Sequence, residues 1–318
     1  MVEQPRGARV VLLGECMIEL QGEPFGTLQQ SFGGDTLNTA VYLARCGRAA
    51  GLRVDYATGL GEDPFSAVLL QRWAEEGLGL DLVRRIPGRL PGLYQITVDS
   101  RGERSFHYWR EQAAARAYFD TPTDADGRPQ PSPLEAAAEA IDVLYVSGIT
   151  LAILGEAGRT RLLALAQRLR ARGAQVVFDN NYRPRLWPDA ATARLWYARL
   201  YALCTTALLT LDDEQALHGG LTAEAALDAA SALPVAEVVV KRGAEPTAVR
   251  LAGQPWQTVA TVPVARVVDT TAAGDSFGAA YLAARLAGVE PVAAAAAGNA
   301  LAARVIQHRG ALMPREAD

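Results

Sequence analysis

Lysine is nearly missing from this 318-residue sequence, whose 31 basic residues are 30 arginines and the single Lys241. A coding bias towards arginine and alanine explains most of this imbalance. Arginine and lysine are not interchangeable where a phosphate group is bound, because arginine presents a planar fork of donors and lysine a compact point charge. The single lysine is therefore a candidate for a specific contact.

Cysteine and histidine are also scarce, with three residues of each type. Cys16, Cys46 and Cys204 are widely separated and form no C-x-x-C pair, which argues against a disulfide framework and against a metal cluster. The histidines lack the spacing of metal ligands, so we interpret them as structural residues.

Long apolar runs and a strong excess of one charge are absent as well. No segment offers the roughly 18 strongly apolar residues of a membrane-spanning helix, and the short apolar run before Gly14 is too short for a signal peptide. The formal net charge of −4 indicates no electrostatic binding to nucleic acid or to an anionic membrane. We expect a cytoplasmic protein that binds neither nucleic acid nor membrane.

Half of the residues are hydrophobic, and short apolar runs alternate with longer segments of helical spacing. Continuous apolar strands that alternate with helices predict an α/β fold with a parallel sheet covered on both faces. Ligands bind at the C-terminal ends of such strands. The apolar runs, each followed by a polar residue or glycine, lie at 9–15, 142–148, 174–180, 207–213 and 236–243.

One region, 91–110, breaks this alternation. It has two strand-like runs rich in aromatic and β-branched residues around the turn 100–103, which predicts an antiparallel hairpin. A hairpin inserted in a parallel α/β chain acts as a lid, as a dimer contact or as structural decoration, and these alternatives remain open here.

The stretch DTTAAGDSF, Asp269 to Phe277, leads from apolar β-branched residues into a helix-like segment. Small residues at a helix N-terminus form an anion site, because free backbone N–H groups point outwards there. An acidic residue, Asp275, nevertheless lies in this turn. It is either an N-cap of the helix or a general base beside amides that stabilise a transferring phosphoryl group.

The stretch FGGDTLN combines a Gly33-Gly34 turn with two polar residues at the start of a helix. Asp35 accepts hydrogen bonds, and Asn38 both donates and accepts them, so this loop is suited to binding the hydroxyls of a polyol. A glycine turn with an aspartate cap is the alternative.

Polar residues also follow the later strands and the hairpin. Arg183 and Arg110 can each grip a carboxylate or a phosphate with two hydrogen bonds, although surface salt bridges are the alternative. Glu214 can hold Mg²⁺ through water, or it can simply complement the dipole of its helix. Lys241 ends a strand beside a turn that can face a nucleotide.

The order of these motifs is more informative than any single one. No G-x-G-x-x-G follows the first strand and no G-x-x-x-x-G-K-[ST] is present, which argues against Rossmann and Walker-type sites. An early G-G-x-x-x-N before a helix and a late D-T-T-A-A-G-D that opens another resemble the ribokinase-like sugar kinases of the PfkB family. The resemblance covers most of the chain, through GECMIEL, FGGDTLNTAVY, RLPGLY, GERSFHYWR, SGITLAIL, FDNNYRPRLW, TLDDE, VVVKRGA, VVDTTAAGDSF and VIQHRGALMPRE.

This resemblance implies a ribokinase-like three-layer α/β/α sandwich with a mostly parallel central sheet. It implies one kinase domain over 1–318, with a small β lid made of inserted segments at about 16–34 and 90–112. ATP and Mg²⁺ are implied as cofactors, and K⁺ is an option because some relatives have a monovalent-cation site. We expect a small sugar acid as the bound substrate and a homo-oligomeric protein.

The resemblance also implies roles at matching positions. Asp275 resembles the catalytic base, and Ala272, Ala273 and Gly274 resemble its anion hole. The implied substrate-binding residues are Gly33, Gly34, Asp35, Asn38, Tyr94, Tyr108, Arg110, Arg183 and Asp275. The implied ATP contacts are Asn181, Arg183, Thr210, Lys241, Gly243, Ala272, Ala273, Gly274 and Asn299. The implied metal positions are Glu214, through water, and Asp269 and Thr271 for a monovalent cation.

Two positions depart from the pattern of the family. Its frequent N-x-x-E magnesium motif has Leu211 in place of Asn here, although Glu214 remains. Pro246 stands where a glycine often follows Gly243 by three residues. The sequence therefore leaves the magnesium ligands and the adenine-side loop open.

Within the family, these runs are most similar to kinases of 2-dehydro-3-deoxy-D-gluconate. The similarity implies ATP-dependent phosphorylation of the C6 hydroxyl of this sugar acid. Two alternatives stay open, a kinase for another sugar such as fructose and a non-catalytic sugar-acid sensor on the same fold. The acidic residue in the DTTAAGD turn argues against the sensor, because a sensor needs no base there.

Overall fold

The computed structural model describes residues 7–98 and 104–315, so the hairpin turn predicted at 100–103 lies outside the described residues. The strands in these ranges are β1 (Arg9–Leu13), β2 (Met17–Gly22), β3 (Leu28–Gly33), β4 (Arg53–Leu60), β5 (Val83–Arg85), β6 (Gly92–Val98), β7 (Arg104–Trp109), β8 (Val143–Ser147), β9 (Gln175–Asp179), β10 (Thr206–Thr210), β11 (Glu237–Arg242), β12 (Glu245–Leu251) and β13 (Gln257–Val259).

These strands form a large sheet of nine strands and a small sheet of four. The large sheet has the order β13-β12-β11-β10-β9-β8-β1-β4-β5. Every neighbouring pair from β11 to β5 is parallel, and β12 and β13 add an antiparallel edge. The five predicted apolar runs are confirmed as β1, β8, β9, β10 and β11.

The α-helices of the described residues are α1 (Asp35–Gly47), α2 (Pro64–Glu75), α3 (Pro133–Ala136), α4 (Gly148–Ile153), α5 (Glu156–Ala171), α6 (Ala190–Tyr201), α7 (Leu211–Leu217), α8 (Ala223–Ser231), α9 (Ala273–Leu286) and α10 (Pro291–Val305). In the part of the chain that the structure describes, no helix has the length and apolar character needed to cross a membrane.

Helices cover the large sheet on both faces, as the alternation along β1 illustrates. Val11 and Leu13 belong to the buried cluster that includes side chains of α5 and α6. Val10 and Leu12 belong to the cluster that includes side chains of α1, α9 and α10. Because successive side chains of a strand point to opposite faces, the sheet lies between two helical layers. The predicted three-layer α/β/α fold is confirmed.

The small sheet is made from the two segments predicted at 16–34 and 90–112. β2 pairs antiparallel with β3 and parallel with β6, and β6 pairs antiparallel with β7. The chain passes from β1 almost directly into β2, and from β3 directly into α1. The small sheet is therefore attached where β1 ends and α1 begins.

Three adjacent parallel strands bring polar side chains to one edge of the large sheet. β9 ends at Asp179, β10 ends at Thr210, and Lys241 lies one residue before the end of β11. Helix α9 is held nearby through close packing on α10, because a Cβ at Gly298 would lie 2.7 Å from the Phe277 ring. The strand ends and the start of α9 together define the candidate site.

Candidate functional site

A cavity of about 530 Å³ lies between the C-terminal edge of the large sheet and the small sheet. Its walls come from the ends of β9, β10 and β11, the starts of α1 and α9, and strands of the small sheet. The residues predicted from the sequence that line it are Gly33, Gly34, Asp35, Asn38, Tyr94, Tyr108, Asn181, Arg183, Thr210, Lys241, Gly243, Thr271, Ala272, Ala273, Gly274, Asp275 and Asn299.

Asp275 is the third residue of α9, which begins at Ala273. The preceding residue, Ala272, has a left-handed backbone with φ 61°, and no side chain of the described residues caps the helix. The carboxyl group of Asp275 accepts a hydrogen bond from Nδ2 of Asn38 at 2.8 Å. The N-cap interpretation of Asp275 is therefore wrong.

Burial raises the pKa of Asp275 to about 7 from its ordinary value of 3.8. The negative charges of Asp35 and Asp179 act in the same direction. The hydrogen bond from Asn38 and the positive charge of Lys241 oppose the rise. A carboxyl group with such a pKa is suited to accepting a proton near neutral pH.

Most backbone amides of the turn before α9 are unpaired. The N–H of Ala273 donates to the carbonyl oxygen of Thr270 at 3.2 Å. Within residues 7–98 and 104–315, nothing accepts a hydrogen bond from the N–H groups of Ala272, Gly274 and Asp275. These three amides can bind an anion, whereas the amide of Ala273 is already engaged.

The loop between β3 and α1 is built around a glycine that tolerates no side chain. A Cβ at Gly34 would lie 2.1 Å from the carbonyl oxygen of Glu15. A Cβ at Gly33 would make only ordinary contacts, the nearest with the Tyr94 hydroxyl at 3.7 Å. The approach of Gly34 to the β1–β2 connection fixes where α1 begins.

Two polar side chains of the first turn of α1 line the cavity. Asp35 accepts a hydrogen bond from Nδ2 of Asn181 at 2.8 Å, and burial raises the pKa of Asp35. Asn38 uses its Nδ2 on Asp275, while its buried Oδ1 has no partner within the described residues. That oxygen is available to a hydroxyl group of a ligand.

Asn180 links the ends of β9 and β10, a role that the sequence did not reveal. Its Oδ1 accepts hydrogen bonds from the N–H groups of Asn181 and Thr210, and its Nδ2 donates to Glu214. Asn181 itself has a left-handed backbone with φ 27° and directs its side-chain amide to Asp35. The side chains of Asn181 and Asp35 thereby connect the segment after β9 to the start of α1.

Three cations, Arg183, Lys241 and Arg242, line the cavity at these strand ends. Arg183 is half exposed and pairs with Asp213 at 3.2 Å. Lys241 donates from Nζ to Oδ2 of Asp179 at 2.7 Å, and both side chains are buried. The sequence placed Asp179 at the productive end of a strand but gave it no role. Asp179 ends one apolar run and Lys241 lies near the end of another, with a single run between them. That order was the signal that could have paired the two residues.

Three aromatic side chains of the small sheet line the cavity. Tyr94 and Tyr108 were predicted, and their ring centroids lie 5.7 Å apart. Phe106, which was not predicted, is also in the cavity wall. Its spacing of two residues from Tyr108 on the same strand was the signal that could have identified it. The hydroxyl of Tyr94 donates to Glu19.

Arg110 does not line the cavity, contrary to its predicted place in the substrate site. It is buried, and its guanidinium pairs with Glu15. The guanidinium carbon lies 5.8 Å from the ring centroid of Tyr108, so the residue is next to the site rather than in it. Its Nε has no hydrogen-bond partner within the described residues.

Glu214 is also turned away from the cavity. Its carboxylate accepts hydrogen bonds from Nδ2 of Asn180 at 2.9 Å and from the hydroxyl of Tyr201 at 3.2 Å. His218 lies 3.6 Å from its other oxygen. Across the described ranges, no group of three or more His, Cys, Asp or Glu side chains is arranged to hold a metal ion. A direct magnesium contact of Glu214 has no support in this geometry.

Asp269 and Thr271, predicted for a monovalent cation, interact with each other. Oδ1 of Asp269 accepts hydrogen bonds from the N–H and the hydroxyl of Thr271, at 3.0 and 2.7 Å. Its Oδ2 accepts from the N–H of Gly310 at 3.1 Å. These contacts hold the segment before α9 to the segment after α10.

The remaining predicted nucleotide contacts surround the ends of β10 and β11. Thr210 and Gly243 line the cavity, and Gly243 has φ 62°, a conformation that favours glycine. Asn299 also lines it, but its Oδ1 accepts from Thr247 and its Nδ2 donates to the carbonyl of Ala260. Asn299 thus shapes the wall with a side chain that is already hydrogen-bonded.

Comparison with known proteins matches this architecture to one family. The model of the pfkB family carbohydrate kinases matches residues 8–318. A 2-dehydro-3-deoxygluconokinase of Dickeya dadantii is 46% identical over 310 residues, which cover 97% of this chain and 97% of that protein. The enzyme of the same name from Haemophilus influenzae is 39% identical, over 97% of this chain and 96% of its own length.

A crystal structure of a PfkB protein from Polaromonas sp. JS666 has the same fold. It superposes with a TM-score of 0.78 and 26% identity, covering 95% of this chain and 96% of that one. The family match extends over nearly all of the sequence and includes both the turn before α9 and the loop before α1. This chain belongs to the pfkB family of carbohydrate kinases.

Proposed function

We propose that this chain phosphorylates the C6 hydroxyl of 2-dehydro-3-deoxy-D-gluconate with ATP and forms 2-dehydro-3-deoxy-6-phosphogluconate. One observation carries the proposal. A carboxyl group with a pKa of about 7, Asp275, lies beside unpaired backbone amides in a chain 46% identical to a 2-dehydro-3-deoxygluconokinase over 97% of its length.

In the proposed transfer step, Asp275 is the general base. Its carboxylate takes the proton of the C6 hydroxyl, and the hydroxyl oxygen forms a bond to the γ-phosphorus of ATP. The bond from that phosphorus to the β–γ bridging oxygen breaks, and ADP leaves. The N–H groups of Gly274 and Asp275 stabilise the charge on the transferring group. Asn38 orients the Asp275 carboxyl group through its hydrogen bond.

Sugar recognition is assigned to the loop before α1 and to the cavity side of the small sheet. Asp35 and the free Oδ1 of Asn38 accept hydrogen bonds from the sugar hydroxyls. Arg183 lines the cavity and binds the carboxylate of the sugar acid. Arg110 joins it after its guanidinium leaves Glu15. Tyr94 and Tyr108 pack against the carbon chain.

The nucleotide is assigned to the ends of β10 and β11. Asn181 and Arg183 lie towards the phosphates, and Thr210, Lys241, Gly243 and Asn299 line the rest of this region. Asp212 and Asp213, which line the cavity after β10, would hold Mg²⁺ mainly through water, because magnesium sites often use one or two protein carboxylates. The ion would neutralise charge at the phosphates. Activation by K⁺ near Asp269 and Thr271 stays a prediction.

The small sheet is assigned the role of a lid that excludes water from the reaction, since water would otherwise hydrolyse ATP. Support comes from the aromatic side chains that it contributes to the cavity wall. Trp109, on its other face, and Leu90, two residues before β6, are 59% and 60% exposed. Exposed apolar side chains of this size favour a homo-oligomer in which that face is covered.

A coupled assay of ADP release tests the proposed function. The panel contains 2-dehydro-3-deoxygluconate, its galactonate-derived epimer, gluconate, fructose and ribose. We expect the highest kcat/KM with 2-dehydro-3-deoxygluconate and a ³¹P NMR signal from a C6 phosphate. A preference for fructose would identify a different sugar kinase. Saturable binding of the acid without ADP release would identify a sensor.

A further inference from the structure

The contact between Lys241 and Asp179 joins two strands that are not neighbours. β10 lies between β9, which carries Asp179, and β11, which carries Lys241. Nζ of Lys241 lies 2.7 Å from Oδ2 of Asp179, and the hydroxyl of Tyr145 donates to the same oxygen at 3.2 Å. The side chains of Lys241 and Asp179 are 10% and 5% exposed. The side chain of Lys241 therefore extends past the end of β10 to the carboxylate of Asp179, which also accepts a hydrogen bond from Tyr145.

The ammonium group also lies against the turn that precedes α9. A Cβ added at Gly274 would be 3.3 Å from Nζ of Lys241. Gly274 has one of the unpaired amides of this turn. A positive charge and free amide donors thus face the same part of the cavity, where a phosphate group is bound under the proposed function.

A lysine does not hold such a position unaided. Its stem is flexible, and its charge is unfavourable in a buried place unless a partner compensates it. Asp179 supplies that partner, and the bond from Tyr145 restrains the carboxylate in turn. The ammonium has three donors, so a bond to Asp179 leaves two for an anion.

We propose that Asp179 is a positioning residue for Lys241: its carboxylate holds the ammonium against the Gly274 turn, ready to bind the phosphates of ATP. The inference rests on the proposed function and adds to it a residue, Asp179, to which that function gave no role. Asp179 acts through Lys241, so replacing it should weaken nucleotide binding more than sugar binding.

The test is a double-mutant cycle on the full chain with Asp179→Asn, Lys241→Met and the double variant. We expect each single variant to raise KM for ATP about tenfold, with less than threefold change in KM for the sugar acid. The double variant should resemble Lys241→Met alone, since Asp179 has nothing left to position. Asp228→Asn, which makes the same chemical change at an exposed position of α8 outside the cavity, is the control and should change KM for ATP less than twofold.

The pH profile gives a second readout. The charged and titratable groups facing Asp275 are Asp35 on α1, Asp179 on β9, Lys241 on β11, and the phenols Tyr42 and Tyr145. Neutralising Asp179 removes a negative charge that raises the pKa of Asp275. If Asp179 positions Lys241, its loss also displaces the positive charge that lowers this pKa, so the two effects oppose each other and the acidic limb of kcat/KM should stay near its wild-type pH in Asp179→Asn. A clear shift of the limb to lower pH would show that Lys241 keeps its place without Asp179, which contradicts positioning.

Three further results would overturn the inference. They are fully additive effects in the cycle, an unchanged KM for ATP in Asp179→Asn, or an equal effect of Asp228→Asn. If Asp179→Asn does not fold, Lys241→Arg keeps the charge but displaces it, and near-wild-type KM for ATP in that variant would also refute positioning. A wild-type chain that phosphorylates no compound of the panel refutes the proposed function itself, which separates the two failures.

Discussion

The protonation state of Asp275 controls both chemistry and stability at the scale of single residues. Its pKa of about 7 means that the basic form grows as the pH rises through neutrality. We expect kcat/KM to increase with pH up to about 7 and then to level off, with a slope of one proton. The measurement is a pH–rate profile at saturating ATP.

Asp275→Asn should lower kcat by about 10² to 10⁴, the usual contribution of a general base, because the amide cannot take a proton. Its affinity for ATP, measured by calorimetry, should change little. Asp126→Asn makes the same chemical change at an exposed loop position and serves as the control. Near-wild-type turnover in Asp275→Asn would exclude Asp275 as the base.

The same titration affects folding. The pKa of Asp275 is higher in the folded chain than in the unfolded chain, so its contribution to stability is full below about pH 4. That contribution is lost as the pH rises through about 7. Each unit of pKa shift corresponds to about 1.4 kcal/mol. In urea denaturation, Asp275→Asn should therefore gain stability relative to wild type between pH 5 and pH 8.

The sequence identified Asp275 because an acidic side chain is unexpected in a turn whose free N–H groups bind anions. It did not identify the partners of Arg110 or Glu214. Arg110 pairs with Glu15, which lies 95 positions away, and no local pattern encodes such a contact. The sequence likewise left Asp275 as either cap or base, because the choice depends on the backbone of Ala272.

At the scale of elements, the packing of α9 on α10 fixes the start of α9 and hence the site. Gly298→Ala gains about 1 kcal/mol in helix propensity, but its Cβ would lie 2.7 Å from the Phe277 ring, closer than packed atoms approach. Overpacking typically costs about 1–3 kcal/mol. We expect the net loss in the free energy of unfolding to lie between zero and about 2 kcal/mol.

Urea denaturation measures this loss. Ala297→Ser adds one heavy atom at the exposed neighbouring position of α10 and should change the free energy of unfolding by less than about 0.5 kcal/mol. If Gly298→Ala instead gains the full helix propensity of about 1 kcal/mol, the helices can separate slightly without cost, and α9 is less tightly fixed than this packing indicates.

The elements were predictable to different degrees. Continuous apolar runs predicted the central strands, because a strand that is buried on both faces consists almost entirely of apolar residues. The pairing of β2 with β6 was beyond local patterns, because it joins segments that are 75 residues apart at Glu19 and Tyr94. The hairpin was recognisable, but its partner strands were known only through the family resemblance.

At the scale of the whole molecule, the apolar face of the small sheet predicts self-association. Trp109 and Leu90 are mostly exposed, and an exposed apolar surface of this kind is typical of an interface. We expect sedimentation equilibrium to give a multiple of the chain mass. Trp109→Ser should shift the protein towards the monomer and raise its dissociation constant at least tenfold.

Leu195→Ser is the matched control, because Leu195 is 51% exposed on α6, away from the small sheet. It should leave the association unchanged. A wild-type protein that stays monomeric at high concentration would rule out the proposed oligomer, and an equal effect of both variants would place the interface elsewhere.

Because the sequence has a single lysine, chemical modification of Lys241 can report whether the chain is folded. Amine-reactive reagents can acylate only Lys241 and the N-terminal amine, so mass spectrometry of one peptide measures how accessible the cavity is. Because Lys241 is only 9% exposed, acylation should be slow in the folded protein and fast after unfolding. A lysine-specific protease should cut the denatured chain once, after residue 241, which gives a direct count of unfolded molecules.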